Sequence, residues 1–491
     1  MGGGQYDSRS ARTLIFLVSL LATAALAPSP AGASPALEVG IQDDALLTYG
    51  AAETAMSGWR EIGIRRVRYN VVWNKVAPAP FSTRGPEAFD GSDHRDPGYD
   101  WSRVDRAVRG AAARGLRVQL TITGPGPVWA SASPGRRLGV WKPSVDGFAR
   151  FAGAVAARYQ DETDLYSIYN EPNQAGWLQP QSVKRKGRYE PYAPHYYRRL
   201  VRAAYPQIRA RDASAHVLIG ELAPSGHNRV GHRKALRPLP FLRSFGCVDR
   251  KYRPVRDGYC RNFRSAVAGG IAHHSHAELQ SPQTRSANIG DAQIADTSRL
   301  LRVVDRLQRK HRLRKPGKGK LSAWFTEVSY QTNPPDPDSG IPPYLQAQWM
   351  QEAQYVMWRH PRVRGWTQYV YKDEPERPGR ERWLGWQSGL FDVDGKAKPY
   401  AASYIDPIWA SRTTVRRGSA TRIWGQYKPD PGAVVRLLYR NRGSSRWRLL
   451  RRVRTDRAGY FSVVLRPGRS RDYRFDHERG SSDQTTVTVR R

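Results

Sequence analysis

The sequence predicts an α/β fold: a (β/α)8 TIM barrel followed by a small all-β, Ig-like sandwich. Three observations point there. From residue 37 to about 407, short apolar, β-branched or aromatic runs alternate with segments of helical period, the pattern of βα units. Beyond residue 411 the helical segments stop and only short strand-like runs remain. Two of the strand-like runs, 166–171 and 323–327, end in a glutamate and then break into loop-like sequence. A barrel presents its functional side chains just past the C-terminal ends of its strands.

The elements follow in order. Residues 39–42 and 64–73 read as the first two strands, and a helix over 101–114 stops at Gly115. The third strand covers 116–123 and breaks at Gly124-Pro125-Gly126-Pro127. A helix over 145–159 places Phe148, Phe151, Val155 and Tyr159 on one face. The fourth strand, 165–169, leads into Asn170-Glu171-Pro172. A helix over 196–209 precedes the fifth strand, 216–220, and a long irregular insertion follows. Residues 270–276 form the sixth strand, 293–310 a helix, 321–326 the seventh strand, 346–359 a helix and 363–371 the eighth strand. A short helix ends the barrel near Pro407. Six short runs between 421 and 489 make the sandwich, with a turn at 456–459. The expected domains are therefore a signal segment at 1–33, the barrel at 37–408 and the sandwich at 411–491.

Arg9 and Arg12 precede an apolar run at 14–26, and Ala31-Gly32-Ala33 follows. That is the layout of a secretory signal cleaved after Ala33. The apolar run is short for a membrane span, and no other stretch is long and apolar enough to cross, so an exported or cell-envelope-associated chain is expected. Cys247 and Cys260 are the only cysteines, and an even count in an exported chain reads as one disulfide. Two cysteines alone do not fill a zinc shell. The formal charge is +37, and residues 411–491 hold 21 Lys and Arg against 6 Asp and Glu. Such a surface favours polyanions, and the basic C-terminal segment points to an anionic cell-envelope polymer as a partner. Plain arginine abundance explains the same composition without a partner. No nucleic-acid-binding motif is present, so nucleic acid is not an expected partner.

On its motifs the chain resembles clan A glycoside hydrolases, families 5 and 39 in barrel layout, over roughly 37–407. The residues that carry the resemblance are Asn170-Glu171-Pro172 after strand four, Thr326-Glu327 at strand seven, 156 residues beyond Glu171, and Arg68 followed five residues later by Trp73. The resemblance implies an O-glycosyl hydrolase acting on a polysaccharide or oligosaccharide by double displacement. Glu171 would be the acid/base, Glu327 the nucleophile and Asn170 the partner of the sugar 2-hydroxyl. Retaining enzymes hold their two carboxyls about 5–5.5 Å apart. At that distance one is pushed toward its neutral form. Glu171 is the expected protonated acid, and Arg68 near Glu327 would keep the nucleophile ionised. The alternative is a catalytically inactive barrel that binds carbohydrate or cell envelope.

The remaining candidates each carry two readings. Relatives often have a Tyr on strand six touching the nucleophile, whereas this chain has His274-Ser275-His276. His274 and His276 are candidate substrate-site residues, or with His273 they are core and loop histidines. A metal is not expected, because no acidic partner for the alternate histidines is evident. Trp366 is a candidate sugar platform on strand eight or part of the barrel core, and Gln368 shares its face. Trp129, after strand three, lines the cleft or anchors a loop, and Trp177 is similarly placed. Asp373 and Glu374 bind sugar hydroxyls or sit in a solvated loop. No cofactor is expected.

Overall fold

The computed structural model describes residues 34, 37–276 and 279–490. The expected signal segment therefore lies outside the described residues. Eight strands form the barrel: β1 (Glu38–Gln42), β2 (Arg66–Val72), β3 (Arg117–Thr123), β4 (Thr163–Ile168), β5 (His216–Leu222), β6 (Gly270–His276), β7 (Ser322–Ser329) and β8 (Val363–Tyr369). All neighbours are parallel, and β1 pairs with both β2 and β8, so the sheet closes on itself. A helix follows each strand: α1 (Ala52–Glu61), α2 (Ser102–Ala113), α3 (Val145–Tyr159), α4 (Ala193–Arg211), α5 (Pro238–Phe245), α6 (Thr297–Arg309), α7 (Pro343–Trp358) and α8 (Pro399–Ile405). The eight expected strands are all present. β5 and β7 run past their expected ends at 220 and 326.

Local chemistry accounts for the helices. The Ser144 side chain accepts from the Gly147 N–H and caps α3, which buries Phe148, Phe151, Val155 and Tyr159 as the periodicity requires. α6 buries Leu300, Leu301, Val304 and Leu307 along one stripe, with its arginines outside. α5 lies in the insertion that the sequence left unread, and Cys247 and Cys260 beyond it form a disulfide with 5.6 Å between Cα atoms.

The barrel interior is layered. At its N-terminal mouth Arg66 pairs with Glu38 at 2.8 Å and Asp164 at 2.5 Å. Above lies an apolar layer of Leu165, Leu218, Ala272 and Trp324. Toward the C-terminal mouth the interior turns polar, with Gln42, Arg68, Gln119, Thr121, Glu221, His274 and Glu327 all buried. Burying charges is costly unless they are paired, so this layer marks where the barrel departs from a purely structural core.

The C-terminal strands are β9 (Ile408–Ala410), β10 (Thr414–Arg416), β11 (Thr421–Gln426), β12 (Val434–Asn441), β13 (Arg448–Arg454), β14 (Tyr460–Leu465), β15 (Arg471–His477) and β16 (Thr485–Arg490). β9, β11 and β14 form one sheet, and β10, β16, β15, β12 and β13 run in that order through a second. Ile423, Phe461 and Val463 of the first pack with Val435, Leu437, Tyr473 and Phe475 of the second. The outer face of the first sheet is not solvated. Trp409, Trp424 and Tyr460 are continuous with the barrel core, and Trp424 lies 6.0 Å from Trp358 and 5.8 Å from Tyr355 of α7. The buried Lys428 ammonium donates to the Tyr404 carbonyl and to Gln354 across the same junction. Among the described residues no helix is long and apolar enough to cross a membrane.

Candidate active site

Two β-bulges aim the acidic side chains inward. Along β7, Trp324 faces the barrel interior and Phe325 the helix layer. Strict alternation would then send Glu327 outward. Instead the register slips at Thr326: Phe325 pairs with His273, and Glu327 pairs with the inward His274. Glu327 thereby points into the barrel and Val328 into the helix layer. β5 does the same. Gly220 pairs with Ala272 and Leu222 with His273, so the intervening Glu221 turns inward. Gly220 has φ +110°, and a Cβ there would meet the Ala272 carbonyl at 2.5 Å, so only glycine fits. Tyr169, Glu171 and Glu221 have φ of 72°, 37° and 43°. Left-handed backbone at non-glycine residues costs of order 1–3 kcal/mol each and gathers at functional sites.

The inward side chains form a closed ionic network. Arg68 is fully buried and donates from Nη1 to Glu327 Oε1 at 2.8 Å, from Nη2 to Asn170 Oδ1 at 2.8 Å, and to both oxygens of Glu221. Gln119 and Thr121 also donate to Glu221 Oε1, at 3.3 and 3.1 Å. His274 Nδ1 lies 2.9 Å from Glu171 Oε1 and 3.4 Å from Glu327 Oε2. Its Nε2 is 3.9 Å from Glu221 Oε2, an ionic contact beyond hydrogen-bond reach. His276 Nε2 lies 3.3 Å from Glu327 Oε2, and its Nδ1 is 2.8 Å from Ser329 Oγ. One imidazole nitrogen therefore touches both Glu171 and Glu327, which bounds the gap between their oxygens by the sum of two short contacts.

Charge states follow from these contacts. Burial disfavours the His274 imidazolium, but Glu327, Glu171 and Glu221 outweigh it and raise its pKa to about 9. Burial likewise disfavours the Glu327 carboxylate, yet the His274 and Arg68 charges hold it well below the usual carboxylate range. Glu221 is also lowered: burial opposes its charge, and Arg68 with His274 more than offsets that. His273 behaves oppositely. It faces the helix layer, binds the Ala292 carbonyl at 2.7 Å, and burial drops its pKa to about 4.

The sequence found no acidic partner for the alternate histidines; the structure supplies Glu327. Ligand atoms of His274, His276 and Glu327 lie within 4.8 Å of one another, close enough for one metal ion. In the network each already has another partner: His274 Nδ1 lies against Glu171, His276 Nδ1 against Ser329 Oγ, and Glu327 Oε1 accepts from Arg68. His195, the other histidine close to two possible ligands, faces cysteines already joined to each other.

A cleft of about 300 Å³ opens over the network, lined by Glu171, Gln174, Ser225, His276, Gln331 and Trp386 among others. Asn170 sits just beneath, its Oδ1 held by Arg68, which leaves its Nδ2 as the donor. Larger concavities lie below the barrel, at Leu37 and Lys428, and beside α4. Neither contains any residue of the ionic network.

Five candidates do not line the cleft. Trp366 is buried in the helix layer, edge-on to Tyr404, so it is core rather than a platform. Gln368 is also turned outward: its amide donates to the Tyr369, Val370 and Ser388 carbonyls, and its oxygen accepts from Tyr400. Trp129 anchors a loop, with Nε1 on the Pro78 carbonyl and its ring against Trp73 and Phe89. Asp373 is buried in an ion pair with Lys398 at 2.6 Å. Trp177 and Trp73 pack with the core as well.

Two site residues escaped the sequence. Trp386 stands over His276 at 4.5 Å and Tyr369 at 5.0 Å, on a loop that Glu374 holds through the Trp386 N–H. Nothing local to it distinguishes it from the other tryptophans. Glu221 had a signal: it ends an apolar strand-like run, as Glu171 and Glu327 do.

No protein-family model matches the chain. A 128-residue stretch is 30% identical to a beta-glucosidase of Agrobacterium sp. (strain ATCC 21400), covering 24% of this chain and 23% of that protein. The chain thus spans under a quarter of the length of that curated relative. Among solved structures, a glucosidase from Croceicoccus marinus has a TM-score of 0.51 at 12% identity over 90% of this chain and 95% of its own. The GH39 enzyme from Xanthomonas axonopodis pv. citri has a TM-score of 0.46 at 14% identity, covering 94% and 96%. A monomeric beta-xylosidase from Caulobacter crescentus CB15 has 0.47 at 13%, covering 89% and 95%. The likeness to the Croceicoccus marinus glucosidase shows a shared fold.

Proposed function

We propose that the chain is an exported retaining glycoside hydrolase, with Glu327 as nucleophile and Glu171 as acid/base. The observation that carries this is the single His274 nitrogen at 2.9 Å from Glu171 and 3.4 Å from Glu327, at the C-terminal mouth of a closed barrel. Two carboxyls that close suit double displacement, where about 5–5.5 Å separates them, better than inversion, which needs room for a water between. Glu327 is the more buried of the two and is held ionised by Arg68 and His274, as a nucleophile must be. Glu171 reaches the cleft, where a leaving-group oxygen would sit. Glu221 and Glu327 balance the charges of Arg68 and His274, so Glu171 is the network's surplus carboxyl and the one that lines the cleft. Asn170 Nδ2 would donate to a hydroxyl of the bound sugar, and Trp386 would stack on its ring.

Attack by Glu327 on the anomeric carbon would form a glycosyl ester as the glycosidic C–O bond breaks and Glu171 protonates the leaving oxygen, so the negative charge passes from Glu327 to Glu171. Glu171 would then take a proton from a water that attacks the same carbon, which breaks the ester, releases the sugar and restores the Glu327 carboxylate. The Agrobacterium relative makes β-glucosides the first substrates to try. The test compares the protein with Glu327→Ala on a panel of activated aryl glycosides. Turnover lost in the variant, with azide restoring it as a glycosyl azide of inverted anomeric configuration, is the expected result. No turnover on any sugar would turn the assignment toward a binding protein. Export is checked separately: protein recovered from the medium should begin at Ser34. Contact between the basic C-terminal sheets and an anionic cell-envelope polymer belongs to the same proposal. Reversing the exposed Arg448, Arg451 and Arg452 of β13 should weaken retention on such a polymer and leave turnover of aryl glycosides unchanged.

A further inference from the structure

On the barrel wall outside the candidate active site lies a cleft of about 640 Å³, between α4 and the segment closed by the disulfide. Six arginines line it: Arg185, Arg198, Arg199, Arg202, Arg261 and Arg264. Of these only Arg185 has a carboxylate partner among the described residues, Glu190 at 3.7 Å. Arg66, Arg158, Arg237 and Arg362, elsewhere on the barrel, each meet an aspartate. What sets this place apart is convergence: six guanidiniums line one concavity that contains no Asp or Glu.

Arg198 makes the case sharper. It is 5% exposed and, among the described residues, makes no ion pair with a carboxylate. Burial and the like charges of Arg312 and Arg202 lower its pKa to about 10. Its guanidinium donates to the Phe245 and Tyr259 carbonyls at 2.6 and 3.3 Å, and lies 5.0 Å from the Phe263 ring, with Arg312 only 3.5 Å from the same ring. Arg198, buried, and Arg312, part-buried, thus bring like charge to one ring with only neutral carbonyls as acceptors, an arrangement an anion would stabilise. The wall is pinned by the same contacts: the Cys247–Cys260 disulfide and Arg198 together fix Tyr259 over α4.

The cleft also has an aromatic floor. The exposed Tyr259 ring stacks on His195 at 5.5 Å and meets Tyr192 edge-on at 5.2 Å. Burial and Arg198 lower the His195 pKa to about 3, so this floor is uncharged. Guanidiniums around an exposed ring face suit a chain with anionic groups at intervals and flat apolar faces between them.

We infer that this cleft binds an acidic polysaccharide, one bearing carboxylate or sulfate groups along a sugar chain, at a site separate from the hydrolytic one. The choice of a glycan over a nucleic acid rests on the proposed function and on topology. Arg185 and Tyr192 lie on the excursion that leaves β4 at Glu171, so the two sites share one loop.

The experiment is electrophoretic retardation in gels containing polygalacturonate, dextran sulfate, neutral dextran or duplex DNA. It is run on the full chain, on Arg199→Glu/Arg202→Glu/Arg261→Glu, and on the milder Arg199→Ser/Arg202→Ser/Arg261→Ser. A charge-matched control reverses Arg302, Arg309 and Lys310, which are exposed on and just beyond α6. Melting curves confirm that each variant is folded. Both cleft variants should lose about tenfold or more in affinity for an acidic glycan, against about twofold for the control, because a lined cleft concentrates the field that a scattered surface spreads. Reducing the disulfide should reproduce the loss. Equal losses in cleft variants and control would reduce the effect to net charge and overturn the inference. Tighter retention by DNA than by either acidic glycan would overturn the choice of ligand. Binding is read without turnover, so an inert active site would leave this result standing, and loss of glycan binding would leave the hydrolytic assignment standing.

Discussion

His274 should make the protein's stability depend on alkaline pH in a way one substitution removes. Its pKa is raised from 6.5 to about 9 by the three carboxylates that surround it. A group whose pKa is higher folded than unfolded stabilises fully below its unfolded value and loses that contribution as pH rises through the folded one. The window is therefore pH 6.5 to about 9. A shift of about 2.5 units at about 1.4 kcal/mol per unit gives roughly 3 kcal/mol. The attraction to Glu327 is the same one that depresses the Glu327 carboxyl, so it is counted once. Urea unfolding at pH 6.5 and at about pH 9.5, on wild type and on His274→Gln, isolates the effect from every other group titrating in that range. Wild type should lose roughly 3 kcal/mol more than the variant between the two pH values. Equal losses in the two proteins would refute the imidazolium, and with it the account of how Glu327 stays ionised.

Three further outcomes follow from the same geometry. Glu221→Gln leaves Arg68 short of one carboxylate in a buried site and should cost about 3–5 kcal/mol by denaturant midpoint, with any activity falling on the alkaline side at lower pH than in wild type. Trp386→Ala should raise KM roughly five- to tenfold for aryl glycosides with little change in kcat, from the ~1 kcal/mol a stacked ring provides beyond its area; Trp366→Phe should lower stability and leave KM alone, because its ring faces Tyr404 and not the cleft. A chain ending at Ser411 should melt well below the full chain or lose solubility, because it uncovers Tyr355 and Trp358, which Trp424 and Tyr460 cover; undiminished stability would make the C-terminal sheets a separable appendage.

The barrel was legible because βα periodicity is a property of short windows, and each window reports its own element. β6 ends where the sequence puts it, and six of the candidate residues, Arg68, Asn170, Glu171, His274, His276 and Glu327, meet in one network. Strand phase was not legible. β8 is buried on both faces, so its apolar run carries no alternation to say which side chains point inward. Its register with β1 decides the matter: Thr367 and Tyr369 sit beside the inward Gly40 and Gln42, which turns Trp366 and Gln368 toward the helices. Trp386 was hidden for a different reason. It reaches the site from a loop whose path depends on Glu374 and the buried Asp373–Lys398 pair, contacts no local pattern encodes.

Phase is also where the chemistry is concentrated. Counted by twos from Trp324, Glu327 belongs to the helix layer; counted from Leu218, so does Glu221. Each reaches the interior only because one residue is inserted into its strand. An inserted residue loses ladder pairing and strains the backbone, and an inward carboxylate beneath a barrel mouth loses its water. Both costs fall on the same two strands, and one arrangement offsets them. Arg68 and His274 each contact both Glu221 and Glu327, so neither carboxylate can lose its charge without leaving two cations underpaired. A network that only stabilised the fold would need neither bulge, since apolar residues at both positions would continue the layer formed by Leu165, Leu218, Ala272 and Trp324. The bulges and the cations make sense together as a device for holding Glu327 ionised within reach of Glu171.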